Sequence, residues 1–231
     1  MKEYKMIMDK GLIFIFIDGK KALIDTGSPI TLSDSDFTFS GTTVKAKRSF
    51  NFAIMDISLD SIRELSDTQF DIFMGIDLLT NENIAFLLSE NRFLMGNDIN
   101  PSGREKDFSY NIFTGVTFDL KVSGNPITAI FDTGATISYI SEELTSELNS
   151  VSNKNDFHPL IGNFETPIYN LETCIFDDEK LNTEFGNLPD KLNIFQIPFI
   201  NIQAVLGNHI LGHYNLFINW KTSKMTFQKI K

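Results

Sequence analysis

Two stretches decide the reading of this chain: Ala22-Leu23-Ile24-Asp25-Thr26-Gly27 and Ala129-Ile130-Phe131-Asp132-Thr133-Gly134. Each is a short apolar run that stops at Asp-Thr-Gly. The run reads as a buried strand, and the glycine allows a tight turn that a side chain would block. A carboxyl at the inner end of such a strand is costly unless it is paired or used. The cost recurs in the same local pattern 107 positions later. A lone strand-end aspartate is most often a turn cap, but capping alone gives no reason to repeat the triplet after the same run.

The match extends beyond the triplets. Ile30 aligns with Ile137, and Thr31 with Ser138, which keeps a small hydroxyl. Later, Phe73-Met74-Gly75-Ile76-Asp77-Leu78-Leu79 resembles Val205-Leu206-Gly207-Asn208-His209-Ile210-Leu211. Alternating strands with hairpin turns at Asp18-Gly19 and Ser123-Gly124-Asn125 precede each triplet. A strand pair closes each half, turning near Glu90-Asn91 and Thr222-Ser223. Helices are expected to be few and short: Asp60 to Leu65, Ser141 to Leu148, and the turn after each glycine anchor. Strands at this density, in two copies, imply a mostly β, bilobal protein.

The polar stretch 97–107, with Pro101 and Gly103, reads as a linker between lobes at 1–96 and 108–231. The halves differ in length between triplet and anchor, 50 residues from Asp25 to Gly75 against 75 from Asp132 to Gly207. The extra 25 are placed in Val151 to Pro189, as a long hairpin near 158–176 turning at Gly162. The first half is expected to lack this hairpin, or to keep a shortened one around Gly41. The first strand is expected to open at Leu12.

Composition excludes several classes. A net charge of −10 argues against nucleic acid as a partner. The single cysteine, Cys174, forbids an internal disulfide and suits a reducing compartment. The N-terminal residues lack the uncharged core of a signal peptide and no stretch approaches membrane-spanning length, so no membrane partner and a cytoplasmic location are expected. His209 and His213 lie at i and i+4, but Gly212 intervenes and no zinc-peptidase glutamate is present, so no metal is expected. Asp77 reads as a network carboxylate, Asp177-Asp178-Glu179 as a solvated turn, and Phe14, Phe16, Phe50, Phe52, Phe70 and Phe73 as core.

Taken together, the paired Asp-Thr-Gly motifs and glycine anchors resemble the aspartic peptidases of the pepsin and retropepsin superfamily, over about Lys5 to Lys229. The resemblance implies a bilobal aspartic-protease fold of two pseudo-twofold-related, retropepsin-like β lobes. It implies an endopeptidase in which Asp25 and Asp132 share one proton and activate water, with no cofactor. Thr26 and Thr133 would bond across the pseudo-twofold, and Gly27 and Gly134 would admit backbone N–H groups to the carboxylates. Ser28 would bond an outer carboxylate oxygen that its counterpart Ala135 cannot, leaving Asp25 the better hydrogen-bonded of the two. Gly162, Asn163 and Phe164 would form a flap over a peptide or protein substrate bound as an extended strand. Because both aspartates lie on one chain, a monomer would suffice. The alternative is a catalytically silent peptide-binding module on the same fold.

Overall fold

The computed structural model describes residues 1–52, 55–112, 114–189, 192 and 201–230. Four two-residue turns set the first level of order: Lys10-Gly11, Asp18-Gly19, Ser40-Gly41 and Ser123-Gly124, each with both residues at positive φ. Positive φ at both central positions matches the right-handed twist of the flanking strands. These turns join Lys2–Asp9 to Leu12–Ile17, Leu12–Ile17 to Lys20–Ile24, Phe37–Phe39 to Thr42–Val44, and Gly115–Val122 to Asn125–Phe131. The chain therefore starts its sheet one strand earlier than Leu12. In Lys2–Asp9 only Met6 is fully buried, so the strand carries almost no alternation to read.

The same crossing occurs in both halves. Lys20–Ile24 lies parallel to Ile72–Met74, which is antiparallel to Leu32–Ser33. Asn125–Phe131 lies parallel to Ala204–Leu206, which is antiparallel to Ser138–Ile140. Each Asp-Thr-Gly loop thus rounds the end of a strand contributed from much later in its own half. The glycine anchors follow from this crossing. A methyl group on Gly75 would overlap the backbone carbonyl of Ile30, and one on Gly207 would lie 2.6 Å from the carbonyl oxygen of Ala135.

The halves join through a continuous sheet. Its strands run Arg104–Asp107, Lys224–Lys229, Tyr214–Asn219, Ile84–Leu87, Arg92–Met95 and Lys2–Asp9, before continuing into the first lobe. At the seam, Ile84 faces Ile218, Ala85 faces Phe217 and Phe86 faces Leu216. The offset between the glycine anchors (207 minus 75) is 132, and it carries Ala85 onto Phe217. Each half thus pairs its closing strand with its own copy, centred on Ala85 and Phe217. That is a pseudo-twofold axis read from register alone. The protein is mostly β and bilobal, with one main core running through both lobes and smaller clusters beneath each. Phe14, Phe70 and Phe73 fill the first-lobe cluster and Phe50 packs at its edge; the side chain of Phe52 lies outside the described residues.

Several expectations need correction. Residues 104–107 of the presumed linker form a strand on Lys224–Lys229, their polar sequence being that of an exposed sheet edge. The turn at Asp177-Asp178-Glu179 is exposed at both aspartates, as expected. Asp177 pairs with Lys121 and Asp178 with Arg104 on the surface, while Glu179 accepts from the Tyr214 hydroxyl at 2.6 Å. Ser141 to Leu148 contains only a 3-10 turn, Glu142–Leu144, whereas the helix Leu59–Ser66 has a Ser58/Ser61 capping box.

The first half does have a hairpin, Ser49–Phe52 with Met55–Ser58, separate from the turn at Gly41. The triplet offset of 107 carries Ser49 onto Asp156 and Ser58 onto Glu165, within one residue of the observed pair Asp156↔Phe164 in the long hairpin Ser152–His158 with Gly162–Cys174. The extra residues of the second half therefore fall after the hairpin tip. They lengthen its returning strand and add the strand Leu181–Gly186, where the first half has its helix.

A side chain at either anchor forces the crossing apart. Gly75→Ala and Gly207→Ala should each cost about 1–3 kcal/mol by overpacking. Gly212→Ala, which meets open space at negative φ, should stay within about 0.5 kcal/mol. Urea unfolding of the three variants checks the contrast.

Candidate active site

Where the two crossings meet, the threonines of the triplets exchange hydrogen bonds. The Thr26 N–H donates to Thr133 Oγ1 at 3.0 Å, and the Thr133 N–H donates to Thr26 Oγ1 at 3.0 Å. Each hydroxyl then donates onward to the opposite lobe, Thr26 to the Phe131 carbonyl and Thr133 to the Ile24 carbonyl, both at 2.9 Å. Both threonines are 0% exposed, so no water can substitute for a lost partner. This reciprocal grip fixes the two loops face to face.

The grip brings the Asp25 and Asp132 carboxyls together across Gly27 and Gly134, where each acts on the other's ionisation. Each keeps part of its surface open at the junction of the lobes. Backbone N–H groups serve both. Asp25 Oδ1 accepts from Gly27 at 2.9 Å and Ser28 at 2.8 Å, and Asp132 Oδ1 accepts from Gly134 at 2.8 Å. A methyl on Gly27 would strike the Asp132 carboxyl, and one on Gly134 that of Asp25, so each glycine makes room for the opposite acid.

Ser28 behaves otherwise than expected. Its hydroxyl donates to the Ile30 carbonyl at 3.1 Å and accepts from the Ile30 N–H at 3.3 Å, closing a local turn and leaving the carboxylate to the backbone. Asp25 therefore gains nothing from that hydroxyl that Asp132 lacks beside Ala135. Burial raises the pKa of both carboxyls, and backbone N–H groups hold back part of that rise at each, those of Ser28 and Gly27 at Asp25 and that of Gly134 foremost at Asp132. Two carboxyls this close titrate as a pair and not independently.

Behind each loop the aligned hydroxyls do matching work. The N–H of Gly75 donates to Thr31 Oγ1 at 3.0 Å and that of Gly207 to Ser138 Oγ at 2.9 Å. The next link differs. Asp77 accepts from the Thr31 hydroxyl at 2.6 Å and its N–H at 3.0 Å, while the His209 Nδ1 lies 3.2 Å from Ser138 Oγ. His209 Nε2 is buried without a partner among the described residues. Burial pushes its imidazole down to about 4, so it is neutral in the folded protein. Asn208 adds a further tie between lobes, donating to the Gly11 carbonyl at 2.7 Å and the Thr133 carbonyl at 3.0 Å.

The long hairpin of the second half reaches across the junction. Gly162, at φ +81°, closes its tip, and Phe164 packs at a tilt against Tyr139 with centroids 6.2 Å apart. Asn163 lines a groove shared with Lys10 of the first lobe. Phe157 packs against the first-lobe cluster of Phe14, Ile62 and Phe73. The Tyr139 hydroxyl donates to Asp156 on the hairpin. Tyr139 and Asp156 were not anticipated from the sequence. The available signal was the alignment of Tyr139 with Leu32, a hydroxyl-bearing ring where the other copy has a plain apolar side chain.

No family model matches the chain, and no curated protein matches it. Among solved structures, the solution structure of the simian foamy virus (mac) protease is similar at 16% identity, over 39% of this chain and 86% of that one, with a TM-score of 0.29.

Thr26→Ala strands buried donors and acceptors in both lobes and should cost about 1–3 kcal/mol. The cost of Thr133→Ala should not add to it, because the two share one network; a double-mutant cycle measures the coupling. Two opposing pH effects are also expected. The raised dyad retains a proton that the unfolded chain releases above about pH 4. Stability from this source therefore falls as pH rises through the folded pKa. Asp25→Asn should melt above the wild type at neutral pH, with the gap closing towards pH 4. His209 and His158, both pushed down to about 4 by burial, act in the other sense. The unfolded chain takes up their protons as pH falls below about 6.5. Stability is then lost at up to about 1.4 kcal/mol per pH unit for each imidazole, and His209→Asn should reduce that loss in thermal melts between pH 7 and 4.

Proposed function

We propose that this protein is an aspartic endopeptidase. The observation that supports the reading is the meeting of the Asp25 and Asp132 carboxyls across the two loop glycines, each after the same apolar strand and each raised in pKa by burial. The ionised member of the pair takes a proton from a water molecule as its oxygen attacks the scissile carbonyl carbon. The protonated member gives its hydrogen to the carbonyl oxygen, forming a neutral gem-diol. The pair's proton then passes to the amide nitrogen while one gem-diol hydroxyl gives its proton to the ionised carboxylate. The C–N bond breaks to leave a carboxylic acid and an amine, and the pair again holds one proton. No covalent enzyme intermediate is required.

Thr26 and Thr133 hold the geometry, and Gly27 and Gly134 admit the opposing carboxyls. The lobes 1–96 and 108–231 would each contribute one acid, so one chain suffices. An extended peptide lying between them would offer its backbone to the hairpins and its side chains to flanking pockets. Closure of the long hairpin through Phe157 excludes water from the bound segment. No described helix is long and apolar enough to cross a membrane.

Asp25→Asn and Asp132→Asn should each lower peptide turnover by at least about 10²–10⁴-fold, with circular dichroism unchanged and loss of tight binding to a statine-type transition-state analogue. Full turnover in either variant would refute the assignment.

A further inference from the structure

A groove of about 570 Å³ opens where the long hairpin meets the first lobe. It falls within the roughly 300–1,000 Å³ typical of ligand pockets. The groove does not include the carboxyl pair itself; it begins at Thr136, four residues beyond Asp132 on the same loop. Its other walls include Asn155, Asp156, Phe157 and Asn163 of the hairpin, with Lys10, Leu65 and Ser66 of the first lobe facing them.

The charges in this groove are unbalanced. Lys10 is already committed: its ammonium donates to the carboxylate and the backbone carbonyl of Asp67. Asp156 has no cationic partner among the described residues. It receives the Tyr139 hydroxyl, the Phe157 N–H at 2.8 Å and the Thr136 hydroxyl at 3.5 Å. A carboxylate offers about four acceptor sites, so one remains. Burial without a counter-charge raises its pKa, and the three hydrogen bonds hold that rise back. A half-buried carboxylate held by neutral donors alone can still take a cationic donor at its free acceptor site, and such a charge-assisted bond is the stronger kind.

The neighbours specify what would complete it. Asn155, Asn163 and Thr136 provide oxygen acceptors for further N–H groups, and Phe157 offers an apolar wall for an aliphatic stem. The chain's net charge of −10 favours an approaching cation. Thr136 lines the groove and lies on the loop that carries Asp132, so the groove adjoins the place where a peptide over the pair would lie.

We propose that this groove is a specificity pocket for a lysine or arginine side chain of the bound peptide, with Asp156 as its counter-ion. The inference rests on the peptidase reading for its substrate but concerns recognition, which can be measured without turnover. The probe is a set of fluorescent peptides identical except at one position, scanned along the sequence with arginine, lysine, citrulline, leucine or glutamate. Binding is measured on full-length Asp25→Asn protein. At one position arginine and lysine should bind at least about tenfold tighter than citrulline or leucine, as expected for a charge pair completed on binding. In Asp25→Asn/Asp156→Asn the preference should fall to within about twofold, while Asp156→Glu should retain most of it.

Equal binding of arginine and citrulline at every position would overturn the proposal, and this comparison needs no Asp156 variant to fold. A preference that survives Asp156→Asn would overturn it too. Wild-type hydrolysis of the same peptides separates the two readings. Hydrolysis without charge preference sinks this inference alone; selective binding without hydrolysis sinks the peptidase reading and leaves the pocket standing.

Discussion

The reciprocal hydrogen bonds of Thr26 and Thr133 are the constraint on which the rest depends. Two loops that each carry a carboxyl repel one another once both are ionised. Nothing in the strands alone would press their tips together. The crossed pairs tie each loop to the other's backbone through groups that water cannot reach. Unmaking any of them leaves a buried polar atom without a partner. That asymmetry, rather than the modest worth of each bond, keeps the acids in contact and so keeps their titration linked.

Around this centre the duplicated crossing works as a frame with two unequal sides. The glycine anchors, the Thr31 and Ser138 hydroxyls and the parallel strand pairs repeat closely, because all of them fix the position of a loop. Where the repeat only needs to cover or support, the halves part company. Asp77 stands opposite His209, a short hairpin opposite a long one, and a capped helix opposite an added strand. The raised dyad and the depressed histidines also pull in opposite directions with pH. Acid favours the carboxyl pair, whose pKa values are raised, and penalises the buried imidazoles, which places the best compromise between those limits.

Much of this was legible in the sequence for a clear reason. Asp25, Asp132 and the two glycine anchors are set by backbone approach, which tolerates little variation and therefore repeats in spacing. The fold class followed from the same repetition. What escaped was decided by surroundings. Lys2–Asp9 buries too little to alternate visibly, and 104–107 is polar because it lies on a sheet edge. The first-half hairpin at 49–58 was hidden because total length located the insertion in the hairpin, when the register locates it after the tip. The turn of the Ser28 hydroxyl towards Ile30, and the meeting of Tyr139 with Asp156, depend on side-chain neighbours far apart in the chain.

The seam between Ala85 and Phe217 has a further implication. A residue on a twofold axis meets its own equivalent, so two identical halves must place like against like there: two methyls, or two rings. Here a methyl sits opposite a benzyl group, and the two pack in one cluster. Such a pairing is open only to partners free to differ. The joined chain has thereby given its centre line a pair of unlike side chains that two copies of either half alone could not reproduce.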